Sequence, residues 1–121
     1  MKTVHFIYAS SSGHTEYVVD VLEKDLIEAG VTVTRQLAET AEQADLTKAD
    51  VTVLGSGTWN TGSVEGQLNP HMHDYLRGRA KDTELNGQEC ALIALGDDRY
   101  YYTLRAGEYL RSFVVNNKGA I

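Results

Sequence analysis

The sequence predicts an α/β fold, a three-layer, doubly wound parallel sheet with helices on both faces. Three observations predict it. Short β-branched runs alternate with helical patterns along the whole chain. The β-type runs are nearly continuously apolar, as in strands buried on both faces. A single proline in 121 residues leaves few hard breaks between long regular elements.

Each element follows in order. Residues 3–8 (TVHFIY) form the first strand. Thr15 to Ala29 carries Val18, Val19, Leu22, Leu26 and Ile27 on one helical stripe, and Gly30 stops it. Residues 31–34 (VTVT) read as the second strand, and Thr40 to Asp45 as a short acidic helical turn. Residues 50–55 (DVTVLG) form the third strand, followed by a small-residue loop. Asn69 caps a helix that has Pro70 at its first position and runs to about Arg77. Residues 89–95 (ECALIAL) make a fourth buried strand. A last helix covers about Leu104 to Val115, with Tyr109, Leu110, Phe113 and Val114 on one side, and residues 118–121 begin a fifth strand.

Composition narrows the function. The length suits one domain over residues 1–121, with no linker-like segment. Hydrophobic residues at 42% and charged residues at 23% exclude disorder as the main state. Seventeen acids against eleven Lys+Arg give a net charge of −6, which repels phosphate backbones and disfavours nucleic acid. One cysteine, Cys90, excludes an internal disulfide framework and fits a reducing, cytoplasmic setting. No secretory pattern opens the chain, and no stretch approaches the ~20 apolar residues that span a membrane.

The first loop carries the clearest chemistry. Ser10-Ser11-Ser12-Gly13-His14-Thr15 leads from a strand straight into a helix. It combines four hydroxyls, a glycine and the free N–H groups of a helix start, the parts of a phosphate site. A Ser-rich helix cap without a ligand accounts for the same residues. No lysine completes a Walker loop, GxGxxG is absent, and the only cysteine lies far from this loop, which disfavours a low-molecular-weight phosphatase. No Lys or Arg occurs between Lys2 and Lys24, so neutral donors would have to hold the phosphate.

Two further loops leave the same edge of a parallel sheet. One holds Thr58, Trp59, Asn60, Thr61 and Gly62; the other runs from Gly96 and Asp97 through Asp98 and Arg99 to Tyr100, Tyr101 and Tyr102. The sole tryptophan and three of seven tyrosines therefore lie in polar, glycine-flanked loops. Taken singly they read as loop anchors or a helix start. Beside a phosphate site, two aromatic walls suit a flat, phosphorylated heteroaromatic ligand.

These residues make the chain resemble the flavodoxin family. The phosphate motif [ST]-x-[ST]-G-x-T is matched by residues 10–15, Thr-Trp by Thr58-Trp59, and Gly-Asp-x-x-Tyr by residues 96–100. All three stand in order, each directly after a predicted strand. The resemblance implies non-covalent FMN and a low-potential one-electron carrier without a small-molecule substrate. Ser10, Ser12, Thr15 and the N–H groups around Gly13 would hold the phosphate. Trp59 and Tyr100 would sandwich the ring. Backbone at Thr58, Gly96, Asp97 and Leu104 would face its polar edge, and the Asn60 carbonyl would lie near N5.

The resemblance also carries a redox expectation. Glu65, Asp97 and Asp98 would oppose the negative charge of fully reduced flavin and lower the potential of the second electron. Arg99 would offset them in part. Where the family favours glycine for a peptide flip, this chain has Asn60, a tolerated second choice.

The family sheet has order 2-1-3-4-5 with a closing helix. Here order 2-1-3-4 is followed by a truncated fifth strand. The fourth-strand edge and one face of strands one and three are then expected to be under-covered, inviting self-association. Basic-surfaced redox proteins are the expected partners, with no nucleic acid and no membrane. A flavin or quinone reductase, alone or as a module, is the competing enzyme reading; an FMN-free truncated interaction domain is the third. A receiver domain is excluded, since it needs acids after the first strand. His71 and His73, two apart on a helix, do not face each other and make a poor metal pair. Cys90 reads as inert core.

Overall fold

The computed structural model describes residues 2–9, 14–61, 64–68, 70–95 and 105–121. In chain order the elements are β1 (Thr3–Ala9), α1 (His14–Glu28), β2 (Thr32–Leu37), two 3-10 turns (Ala38–Thr40 and Gln43–Leu46), β3 (Val51–Thr61), β4 (Val64–Leu68), α2 (Pro70–Arg77), β5 (Glu89–Leu95) and α3 (Arg105–Asn116).

β1 pairs in parallel with β2 on one side and with β3 on the other, and β5 pairs in parallel with the far side of β3. The parallel order is thus β2-β1-β3-β5, the 2-1-3-4 arrangement expected from the sequence. At the entry end a reciprocal clamp holds the β1–β3 register: the Thr3 N–H donates to Asp50 Oδ2 at 2.8 Å, and the Asp50 N–H to Thr3 Oγ1 at 3.0 Å.

Alternation along β1 builds the two faces. Val4, Phe6 and Tyr8 join Val19 and Val53 in a core with Leu26 of α1 packed against it. Ile7 and Ala9 point the other way and join Leu54, Cys90, Tyr75, Met72, Leu110 and Val114, on the side of α2 and α3. β1 and the first half of β3 are thereby buried between helical layers, which is why their sequences run nearly unbroken in apolar residues. Gly30, at φ 89, ends α1 as predicted: its N–H donates to the Ile27 carbonyl, and the Val31 N–H to the Leu26 carbonyl, in a Schellman pattern.

The structure differs from the sequence reading in four places. β2 is longer, reaching Leu37, because Arg35, Gln36 and Leu37 continue the parallel ladder with Phe6, Ile7 and Tyr8 although they form no apolar run. The turn over residues 40–45 is two short 3-10 segments instead of one helical turn. The small-residue loop after the third strand is a strand: β3 runs on to Thr61, and β4 returns antiparallel, pairing Thr58 with Leu68, Trp59 with Gln67 and Thr61 with Val64. Beyond Gly57, where its pairing with β5 ends, β3 takes its own returning chain as partner. Finally, the expected open face of strands one and three is absent, since α1 covers β1 and the centre of β3, with Phe6 1% and Val53 7% exposed; at β5, the expected fourth strand, Ala91 is exposed and Ile93 half-buried.

The fifth strand begins where the sequence places it. Ala120 forms a parallel bridge with Glu89, the Cys90 N–H donating to its carbonyl at 2.7 Å and its own N–H to the Gln88 carbonyl at 3.0 Å.

Candidate functional site

Strand register brings the three sequence segments together. Ala9, the last residue of β1, lies opposite Ser56, and Gly57 lies opposite Leu95, the last residue of β5. The chain therefore leaves β1 at residue 10 and β5 at residue 96 beside the point where β3 enters its antiparallel ribbon. Strand order reverses between β1 and β3, the crevice in which open α/β sheets take ligands. Within this edge, His14 is the first residue of α1 and Thr15 the second, while Thr58, Trp59, Asn60 and Thr61 lie on β3. Ser10, Ser11, Ser12, Gly13, Gly62, Gly96, Asp97, Tyr100 and Leu104 lie outside the described residues, as do Asp98, Arg99, Tyr101 and Tyr102.

The first turn of α1 is held from two sides. Below it, Thr15 is 3% exposed and sits on Gly55, where an added Cβ would stand 3.4 Å from Thr15 Cγ2. Beside it, the Tyr8 hydroxyl donates to Glu16 Oε2 at 3.3 Å, and the Arg35 guanidinium lies 5.8 Å over the Tyr8 ring. Arg35 also pairs with Asp20, and with Glu23 at 3.8 Å. Burial pushes the Tyr8 phenol up, against the opposing pull of Arg35, so it remains a neutral donor. Glu16 in the first turn also complements the positive end of the helix.

These features fit a phosphate held by neutral groups. The seat at Gly55 lets the helix start sit close to the strand ends, and Thr15 adds a hydroxyl at its second position. The sequence pattern names Thr15 as a phosphate-loop residue and gives no sign of the contacts that hold it in place. A glycine ending the apolar run VTVLG is the available signal for the seat, since strand glycines mark close approach. The Tyr8–Glu16–Arg35 contacts join three elements and leave no local pattern.

A family model described as flavodoxin matches residues 6–120. The chain belongs to the flavodoxin family. Flavodoxins are FMN-binding electron-transfer proteins rather than substrate-converting enzymes. A curated relative, probable flavodoxin 2 of Bacillus subtilis strain 168, is 29% identical over 122 residues, covering 100% of this chain and 78% of its own length. Among solved structures, oxidised flavodoxin 2 from Bacillus cereus superposes with TM-score 0.88 at 25% identity, over 98% of this chain and 78% of that one. A point mutant of Fusobacterium nucleatum flavodoxin, bound to flavin mononucleotide, shares the fold with TM-score 0.80 at 20% identity, over 99% and 67% of the two chains.

The remaining sequence candidates settle elsewhere. His71 and His73 lie on α2 beside Glu39 and Asp74, at 3.9 and 4.0 Å. No group of three or more metal-ligating side chains comes together among the described residues. Cys90 is 5% exposed in β5, and burial pushes its thiol up to about 11, the character of an unreactive core cysteine. Among the described residues no helix is long and apolar enough to cross a membrane.

Proposed function

We propose that residues 1–121 act as one FMN-binding domain, a low-potential one-electron carrier. The observation that carries this reading is the juxtaposition of Ala9, Ser56, Gly57 and Leu95 at one sheet edge, from which all three motif-bearing segments depart. In this reading Ser10, Ser11, Ser12, Gly13, His14 and Thr15 surround the phosphate, and Trp59 and Tyr100 flank the ring. Thr58, Asn60, Thr61, Gly62, Gly96, Asp97 and Leu104 line its polar edge. FMN supplies the redox chemistry. The protein's part is to hold the phosphate with neutral donors, keep water from the ring, and surround it with acids that disfavour added negative charge.

The same charge balance supports the choice of partner. A net charge of −6 favours a basic-surfaced reductase or acceptor over nucleic acid, and a lone buried cysteine suits the cytoplasm. Self-association belongs to this reading as well. Helical spacing turns Glu16, Asp20 and Glu23 toward Arg35 and β2, so Val18 and Val21 flank the opposite side, toward β3 and β5. On α1 Val21 is 43% and Leu22 37% exposed, and Ala91 of β5 is exposed as well. A second copy offering the same face would cover these groups isologously.

Titrating the protein into FMN tests the cofactor reading. Quenching of flavin fluorescence to a one-to-one endpoint is expected; undiminished fluorescence would refute it. Rapid reduction of the loaded protein by NAD(P)H without another protein would instead favour a reductase.

A further inference from the structure

We infer that Asn86 is a chemical modification site, deamidating to aspartate and isoaspartate, and that segment 117–120 sets the rate. Asn86-Gly87 is the only Asn-Gly pair in the sequence. The reaction needs nothing but water. The Gly87 backbone nitrogen gives up its proton and bonds to the Asn86 side-chain carbonyl carbon, whose bond to the amide nitrogen breaks, releasing ammonia. Water then opens the resulting succinimide ring at one carbonyl or the other, leaving aspartate or isoaspartate. A glycine in second place favours the first step, since no Cβ crowds the attacking nitrogen.

The fold exposes this pair and also restrains it. Both residues are exposed, and an added Cβ at Gly87 would meet nothing within 4 Å. Both have positive φ, 49 at Asn86 and 81 at Gly87, as in a type I′ turn, which the Gln88 N–H closes on the Leu85 carbonyl at 2.9 Å. The attacking nitrogen is occupied. The Gly87 N–H donates to the Lys118 carbonyl at 2.8 Å. On either side, the Leu85 N–H donates to the Asn117 carbonyl at 2.8 Å and the Ala120 N–H to the Gln88 carbonyl at 3.0 Å. Ring closure turns the Asn86–Gly87 peptide and draws its nitrogen onto the side chain, so the bond to Lys118 must break first. Segment 117–120 therefore guards the nucleophile.

The guard has its own fastenings. Asn117 Nδ2 donates to the Lys81 and Thr83 carbonyls at 3.0 and 2.8 Å. Gly119 is packed so closely that an added Cβ would stand 2.8 Å from both Leu85 Cδ1 and Val114 Cγ1, and 3.2 Å from the Val114 carbonyl oxygen. Against these, Lys118 holds φ 67 where α3 ends, a left-handed position that favours glycine. Its ammonium pairs with Glu84 at 3.4 Å, but both side chains are largely exposed and the pair adds little. Substitutions can thus loosen the segment or tighten it, and the rate at Asn86 should follow in each direction.

The test incubates the full chain, folded and unfolded in guanidinium chloride, and follows by mass spectrometry the peptide that carries residue 86. Asn86 is expected to convert ahead of the other asparagines in the unfolded chain, and at least about tenfold more slowly in the folded one. Asn117→Ala and Gly119→Ala should raise the folded rate at least about threefold, and Lys118→Gly should lower it about threefold, with unfolded rates unchanged. Hydrogen exchange at the amides of β1 reports global unfolding in the same samples. A folded rate equal to the unfolded one overturns the inference, as does an Asn86 that stays intact in the unfolded chain. Folded variant rates equal to wild type overturn it too, as do rates that change only in step with exchange in β1. Should a loosening variant fail to fold, Lys118→Gly decides: a rate that does not fall overturns the inference.

Discussion

His5 Nε2 lies 2.7 Å from Gln36 Oε1, joining the buried imidazole of β1 to the edge strand β2. The Gln36 amide nitrogen faces the Thr40 carbonyl and hydroxyl, both at 3.3 Å, which leaves Oε1 to accept from the ring. Nδ1, 2.7 Å from Thr34 Oγ1, then accepts the threonine proton. The ring is neutral and both nitrogens are satisfied.

Burial lowers the His5 pKa below 6.5; Gln36 opposes the shift, and Lys48 and Asp45 act on it in opposite directions. The unfolded chain therefore takes up this proton first as pH falls. Stability from His5 is complete above the unfolded value and is lost as pH falls from there toward the folded value. Urea unfolding between about pH 7.5 and about pH 5 should show a steeper loss for wild type than for His5→Gln. Parallel profiles would refute the assignment.

Arg79 ties the segment after β2 to α2. Its Nε donates to the Ala41 carbonyl at 2.7 Å and Nη2 to the Ala38 carbonyl at 2.6 Å, with the guanidinium 5.4 Å over the Tyr75 ring. Both alanines are fully buried. Arg79→Ala should lose about 2 kcal/mol in chemical denaturation, since it leaves those carbonyls without the charged donor. Arg79→Lys should recover only part, because one ammonium cannot reproduce the planar fork. A loss below about 0.5 kcal/mol for the alanine variant would show that water replaces the fork.

Much of this architecture is written locally. Apolar runs at residues 3–8 and 89–95, the Gly30 stop and the helix start at Pro70 each act over a few residues, and each appears where its pattern lies. The β3–β4 ribbon was legible too: Gly62-Ser63 between two strand-like segments is a hairpin signal, obscured by the polar, glycine-rich composition around Trp59. Arg35 over Tyr8, Arg79 on Ala38 and Ala41, and Thr15 on Gly55 were not legible. Each joins residues far apart in sequence, and only the tertiary fold specifies the contact.

The α1–β5 face predicts reversible self-association. Sedimentation velocity across a concentration series should show a monomer–dimer equilibrium. Val21→Lys should weaken it by at least about tenfold by placing a charge on the exposed apolar side of α1. A protein that stays monomeric at every concentration and also melts at high temperature would show that this face needs no cover.

One-electron chemistry at the edge shared by β1, β3 and β5 is the central property of the proposed carrier. Potentiometric titration of the FMN-loaded protein, followed by its visible spectrum, measures this directly. Two resolved one-electron steps are predicted, with the second well below that of free FMN because of the acidic surroundings. A single two-electron wave at the potential of free FMN would contradict it.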